Sequence, residues 1–509
     1  MAWIYGSSVA TGVHALADFI SEAVIGISLQ TISAVAAAGA DYVVGDEIVL
    51  SGGTSTIAAI AEVLTVDGSG GVLTVRVRNA GIYVAGPASP VSTTGGAGTG
   101  CTLTCTFGHN GWVRRRAVAV AGAAQSATIA VGGTDYVVGN TLTLSGGTGH
   151  TASTFRVATI GGGGAVASVT LLNAGSYTTP PSSPISTTGG AGTGCTLTGV
   201  FGTADTTLRE VILEGEGDGG TDEIFVGLAS DFSGSVQQLD LAGMTGYLPD
   251  LPFANQPGIS PVRSGDDGGC FCPAENFAMN VWVSVTPRRI AFVYRVLSFC
   301  GSGHLGFLNP FLTTGEWSYP MFVSGYSNDN FGGFGQFDKG AHLGCPGGQG
   351  VFSNPFGGGY LRKPDGVWVS VFNTIRTDNL RGSGHVVWPS SHIATSGWPI
   401  STMFTTNQSA MPFDPRGVVG TNFGARLFPT PNTDGDLFLR VPCTVMRQST
   451  IVDVPGNVVL YGQLDGVFVL NTVGLLVAEN RIREGAAFFT VFSPGTLTDS
   501  KSPFCLEEK

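Results

Sequence analysis

The chain has 509 residues, enough for three or four domains that bury their own cores without metal or disulfide support. With 43% hydrophobic residues, only 12% charged and 78 glycines, it does not read as a disordered chain, and it needs unusually many turns. Thirty-six acidic residues against 24 basic ones give a formal net charge of −12, which disfavours nucleic acid as a partner, because such binding needs a basic face to displace counterions.

The opening Met1-Ala2-Trp3-Ile4-Tyr5 lacks the basic region that precedes the apolar core of a secretory signal. Residues 13 to 25 form the clearest predicted helix, with Leu16, Ile20 and Val24 on one stripe, Phe19 and Ala23 beside it, and Gly26 placed to end it. A duplication follows. Residues 41 to 107 align without a gap on residues 135 to 201, at a constant offset of 94, with 38 of 67 positions identical. Asp41-Tyr42-Val43-Val44-Gly45 matches Asp135 to Gly139, Asn79-Ala80-Gly81 matches Asn173 to Gly175, and Ser92 to Thr104 is repeated identically at Ser186 to Thr198. Between these landmarks the period is two, with Leu73, Val75 and Val77 alternating with Thr74, Arg76 and Arg78. The Asn-Ala-Gly and Ser-Gly-Gly-Thr segments supply turn residues, so each copy is expected to be a compact module of short strands.

Between the copies stands the one dense basic run, Arg114-Arg115-Arg116, expected to be a paired strand rather than a phosphate site. After the second copy, Leu208 to Glu214 and Ile224 to Leu228 give a strand-turn-strand pattern, and further strands are predicted at Val281 to Val285 and Ile290 to Val296. No run of 18 apolar residues occurs, the nearest approach from Val467 to Ala478 being broken by Asn471 and Thr472, so no membrane insertion is expected.

Few residues invite chemistry. Gly95 to Gly100 is glycine-rich, but it leads into another strand instead of a helix, and no Gly-Lys-Ser/Thr triplet accompanies it. The carboxylates Glu214, Glu216, Asp218, Asp222, Asp266, Asp267, Asp434 and Asp436 could serve as a glycosidase pair, yet they sit in turns where Asp-Gly is expected for backbone reasons. The seven histidines, His14, His109, His150, His304, His342, His385 and His392, show no metal-ligand spacing, and no G-x-S-x-G elbow nominates a nucleophile. No catalytic residue, cofactor or metal is therefore expected. The nine cysteines include no CxxC pair and read mostly as small buried hydrophobes. The alternative is oxidation, within the chain or to a partner, with Cys270 and Cys272 first and Cys300, Cys345, Cys443 and Cys505 as further candidates.

Several short motifs, in order, resemble those of large bacteriophage virion structural proteins. They are Gly111-Trp112-Val113-Arg114, then Gly219-Gly220-Thr221-Asp222-Glu223-Ile224-Phe225-Val226-Gly227-Leu228, Thr245-Gly246-Tyr247 and Gln256-Pro257-Gly258-Ile259-Ser260. Leu305-Gly306-Phe307-Leu308-Asn309-Pro310, Tyr319-Pro320-Met321-Phe322-Val323 and Gly462-Gln463-Leu464-Asp465-Gly466-Val467-Phe468 continue the series, with Gln463 standing where those proteins carry Glu. The two copies resemble the glycine-rich modules of phage tail and fibre proteins.

The resemblance implies a mainly β, multi-domain protein with one short N-terminal helix. Its N-terminal mixed domain would be discontinuous, residues 1–34, 108–123 and 202–300, with β modules inserted at 35–107 and 124–201 and projecting outward. A β-rich, sandwich-like C-terminal domain would occupy 301–509. The implied function is architectural: a tail, baseplate or neck-collar component of the virion, assembled in the host bacterial cytoplasm. It would act as a trimer or hexamer docked to neighbouring tail, baseplate or neck proteins. The alternative is a receptor-binding fibre whose aromatics, Trp317, Tyr319, Phe331, Phe334, Trp388 and Trp398, stack on host surface glycan, or a polysaccharide-cleaving tailspike.

Overall fold

The computed structural model describes residues 2–119, 124–173, 176–201, 208–217, 223–231, 238–262, 269–273, 277–297, 299–311, 317–325, 359–371, 385–388, 439–448, 458–471, 479, 481–485, 487–492, 495–496 and 504–508. It is mainly β, with 65% strand and 6% helix among the described residues. Contacts divide the chain into two units, Met1–Arg116 with Val211–Lys509, and Ala117–Glu210.

The first unit is built on a central antiparallel sheet that the N-terminal strand Ala2–Thr11 joins by pairing with Ala278–Thr286, in the register Trp3 to Ser284. The sheet continues through Arg289–Val296, Phe299–Phe307, Met321–Ser324, Gly359–Arg362 and Trp368–Val371. One face carries Trp3, Trp282, Ala291, Val293 and Phe322. These pack with Cys443, Val445, Tyr461, Val467, Phe492, Phe504 and Leu506 of a second sheet built from Leu439–Gln448, Val458–Asn471, Ala487–Phe492 and Phe504–Glu507. The opposite face meets a five-stranded sheet whose members include Ile224–Asp231 and Gln238–Met244, with Leu241 beside Phe292. Both faces of the central sheet are thus covered. That is why residues 278 to 296 are buried almost without alternation, where a strand with one wet face would alternate.

The sandwich is therefore shared by distant segments, and residue 300 is no boundary: the strand Phe299–Phe307 runs across it, hydrogen-bonded to Arg289–Val296 along its length. The expected C-terminal sandwich of 301–509 borrows one of its two sheets largely from residues before 300, because neither sheet can bury its apolar face alone.

The helix spans Gly12–Ile25, with Leu16, Ile20 and Val24 fully buried and Gly26 bonding back to the Glu22 carbonyl at 2.9 Å. The strand Trp112–Ala119 pairs beside Leu208–Gly215, and Arg114 reaches Glu22 of the helix at 3.0 Å. Helix, arginine strand and returning strand therefore lie side by side. Arg115 pairs with Glu214, so Arg114 and Arg115 each meet a carboxylate of the same chain at partly exposed positions.

The two copies fold alike. In each, the entering strand, Ile27–Ala40 or Ala124–Thr134, pairs with the leaving strand, Thr99–His109 or Thr193–Phe201. The first module thus begins at 27, earlier than residue 35, since pairing starts at Ile27 with His109. Tyr83 Oη accepts a 2.7 Å bond from the Ala59 amide, and Tyr177 Oη accepts one of the same length from Ser153. Gly39 and Gly133 both take positive φ, and a Cβ on either would lie 2.3 Å from the carbonyl oxygen of Thr99 or Thr193, so only glycine fits.

Candidate functional site

One surface kept in both copies of the duplication is apolar. Tyr42 and Tyr136 are buried, and the two valines that follow each point outward: Val43 and Val44 are 53% and 63% exposed, Val137 and Val138 are 52% and 60%. The turn is held rigidly. Asp46 Oδ2 accepts bonds of 3.0 Å from the amides of Val43 and Ala97, and in the second copy Asn140 Oδ1 takes the same two bonds from Val137, at 3.1 Å, and Ala191, at 3.0 Å. Asp and Asn are interchangeable here because only one acceptor oxygen is needed. An exposed valine pair loses nothing locally by becoming polar, and both copies keep it.

The second feature distinguishes the copies. In the first module, Glu47, Glu62 and Arg76 form a cross-strand row, with Arg78 two residues along. This row docks on the C-terminal sheet. Glu508, its side chain 1% exposed, receives Arg76 at 2.9 Å, both Nε and Nη2 of Arg481 at 2.8 Å, and the Thr490 hydroxyl at 2.6 Å. Glu62 receives Arg76 and Arg481 at 2.7 Å each, and the Arg76 guanidinium lies 3.5 Å above the Phe488 ring. Burial opposes the charge of Arg481, but Glu508 and Glu62 outweigh it and raise its pKa. Arg76 and Arg481 thus share Glu62 and Glu508, with Arg78 3.6 Å from Glu508 at the edge, and the first module is clamped to the body instead of simply projecting from it.

The equivalent row of the second module is Thr141, Arg156 and Thr170, in the same register, with Leu172 at the Arg78 position. Strand pairing and bulges are kept while the ionic groups are gone. Sequence reasoning missed the clamp because its parts lie more than 400 residues apart, although the charge differences between copies at 62/156, 76/170 and 78/172 were visible.

Other chemistry-bearing residues are embedded. Arg289, of which 1% is exposed, donates to the Ser284 carbonyl at 2.6 Å and lies 3.5 Å from Asp465 of the Gly462-to-Phe468 motif. His304 is fully buried; its Nδ1 donates to the Phe322 carbonyl at 3.0 Å, Nε2 has no partner, and burial pushes its pKa down to about 4. His14 Nδ1 lies 2.7 Å from Ser230 Oγ, but Ser230 is buried, which a nucleophile for polymeric substrate cannot be.

Of the carboxylates named above, Glu214 pairs with Arg115, Glu216 lies in the turn at Gly111, and Asp218, Asp222, Asp266, Asp267, Asp434 and Asp436 lie outside the described residues. Among the described residues no group of three His, Cys, Asp or Glu is arranged to hold a metal, and no helix is long and apolar enough to cross a membrane. Cys270, Cys272, Cys300, Cys443 and Cys505 are buried free thiols, as are Cys101, Cys105 and Cys195, while Cys345 is outside the described residues. Burial raises the pKa of Cys270 and Cys272 and pushes that of Cys300 up to about 12, which suppresses the thiolate needed for disulfide exchange. Trp317 is a core anchor that donates to the Arg362 carbonyl at 3.0 Å, and Tyr319 is half-buried. Phe331, Phe334 and Trp398 fall outside the described residues, as does the side chain of Trp388.

No protein-family model matches the chain, and no curated protein matches it.

Proposed function

We propose that the protein is a structural component of a bacteriophage particle, in the tail, baseplate or neck-collar region, that works by assembling with copies of itself and docking to neighbouring virion proteins. The observation that carries the reading is the pinned valine pair, kept exposed in both modules while 29 of the 67 aligned positions (67 less the 38 identical) diverged. A surface of this kind stabilises association by removing apolar area from water, at about 25 cal/mol per Å². The low charge of the chain supports the same reading, since little of its surface resists burial. So does the order of the motifs along the sequence. The assembly is a trimer or hexamer, made in the host cytoplasm and carried in the virion, and it takes no nucleic acid.

The test sets this against the adhesin and tailspike alternatives. The full chain is screened against purified bacterial surface polysaccharides, for binding and for release of reducing ends. The proposal expects neither, and self-assembly in solution. A monomer that binds or cuts polysaccharide overturns it.

A further inference from the structure

A polar row runs through the apolar seam of the sandwich. Trp3, Ser284, Ala291, His304 and Ser324 stand opposite one another across five neighbouring strands of the central sheet, so their side chains share the face that meets the second sheet. Among the described residues, Trp3 Nε1, Ser284 Oγ, His304 Nε2 and Ser324 Oγ are buried without a hydrogen-bond partner. Buried polar groups are normally satisfied, so four in one row mark the place where the two sheets hold each other least well. Arg289, two residues from Ala291 and on the same face, bridges the seam beside them. It lies 3.5 Å from Asp465 of the second sheet, and a Cβ on Gly466 would come within 2.7 Å of its Nη2.

His304 is the member of the row that can change its charge. Its Nδ1 is engaged by the Phe322 carbonyl, so a proton can arrive only at Nε2, where no acceptor stands. The charged groups that bear on it are Arg289 of the neighbouring strand and Asp465 of the opposite sheet, and Glu507 of the opposite sheet acts in turn on Arg289. Asp465 already faces the Arg289 guanidinium, so a second cation in the seam meets like charge at close range. Water can satisfy a charged imidazole, and it reaches Nε2 only when the sheets part.

We propose that His304 is an acid-sensitive latch: a proton bound at Nε2 parts the second sheet, Leu439–Gln448, Val458–Asn471, Ala487–Phe492 and Phe504–Glu507, from the central sheet at this row. The five-stranded sheet on the other face of the central sheet stays in place. The latch works within one chain and does not depend on what the protein assembles with.

Buried thiols report which face opens. Cys300 and Cys443 lie in the seam, whereas Cys270 and Cys272 belong to the five-stranded sheet on the other face, against the carbonyls of Val323 and Ser302. The full-length protein is treated at about pH 8 and about pH 5 with dithiodipyridine, which reacts with thiols in acid as well, and labelled sites are read by mass spectrometry against a model thiol. A proton site of pKa 6.5 in the open form and about 4 in the closed form raises the open fraction about 30-fold by about pH 5. Labelling of Cys300 and Cys443 is expected to rise by about that factor, with Cys270 and Cys272 unchanged. His304→Gln, which stays neutral, is expected to lose the rise. Continued protection of Cys300 and Cys443 in the unmodified protein, equal opening of all four thiols, or an equal rise in His304→Gln overturns the proposal. The pattern in the unmodified chain decides it even where the variant does not fold.

Discussion

Replacing Glu508 by alanine removes the carboxylate at the centre of the clamp. That group is 1% exposed and accepts from Arg76, from Arg481 twice and from Thr490, so the substitution leaves two guanidinium groups sharing Glu62 alone. Breaking a fully buried ion pair costs about 3–5 kcal/mol, and the partial exposure of Arg76 and Arg481, 11% and 21%, lowers the expectation to about 2–3 kcal/mol. Because the clamp joins the first module to the body, the loss should be local first: amide exchange should quicken in residues 60–66 and 72–79 before the sandwich core responds. Denaturant unfolding of Glu508→Ala, Arg76→Ala and the double variant provides the assay. The pair should show a coupling energy of at least about 1 kcal/mol. Additive effects, or a Glu508→Ala loss below about 0.5 kcal/mol, the ordinary range of a surface substitution, would show that the clamp is a solvated surface pair.

Four further outcomes follow from the same structure. His304 has its folded pKa near 4 against 6.5 for the free group, so the unfolded chain binds more protons between these values. Stability is then fully present above about pH 6.5 and falls by about 3 kcal/mol as pH drops through 4, and His304→Gln should flatten that slope in pH-dependent melting. Gly39→Ala and Gly133→Ala force a Cβ onto a carbonyl oxygen at positive φ and should each destabilise their own module by about 2 kcal/mol or more, read by exchange in that module. Tyr83→Phe and Tyr177→Phe strand the amides of Ala59 and Ser153 and should cost about 1–2 kcal/mol apiece in denaturant unfolding. Cys270 and Cys272 should react with a maleimide only after unfolding, and labelling of the native protein at the rate of a free thiol would contradict their burial.

Local signals were legible in the sequence. The helix at 12–25 followed from a stripe of Leu16, Ile20 and Val24 closed by Gly26, and the strand pair 278–286 and 289–296 from its apolar runs and turn. The duplication was visible because turn residues, buried tyrosines and glycines are fixed by backbone geometry and so survive divergence. What stayed hidden was long-range. Nothing local to Trp3 says that its strand pairs at Ser284, or that the sandwich draws a sheet from both sides of residue 300. The clamp stayed hidden for the same reason: Glu508 acquires its meaning only from Arg76, and the charges along the first module alternate as any solvated strand would.

The central claim is that this protein works by assembling with itself, and its mass in solution tests it most directly. Multi-angle light scattering across a dilution series, with and without reductant, should return three or six times the subunit mass of 52.2 kDa, unchanged by reductant because the described cysteines are buried free thiols. A single subunit mass at all concentrations would contradict the account.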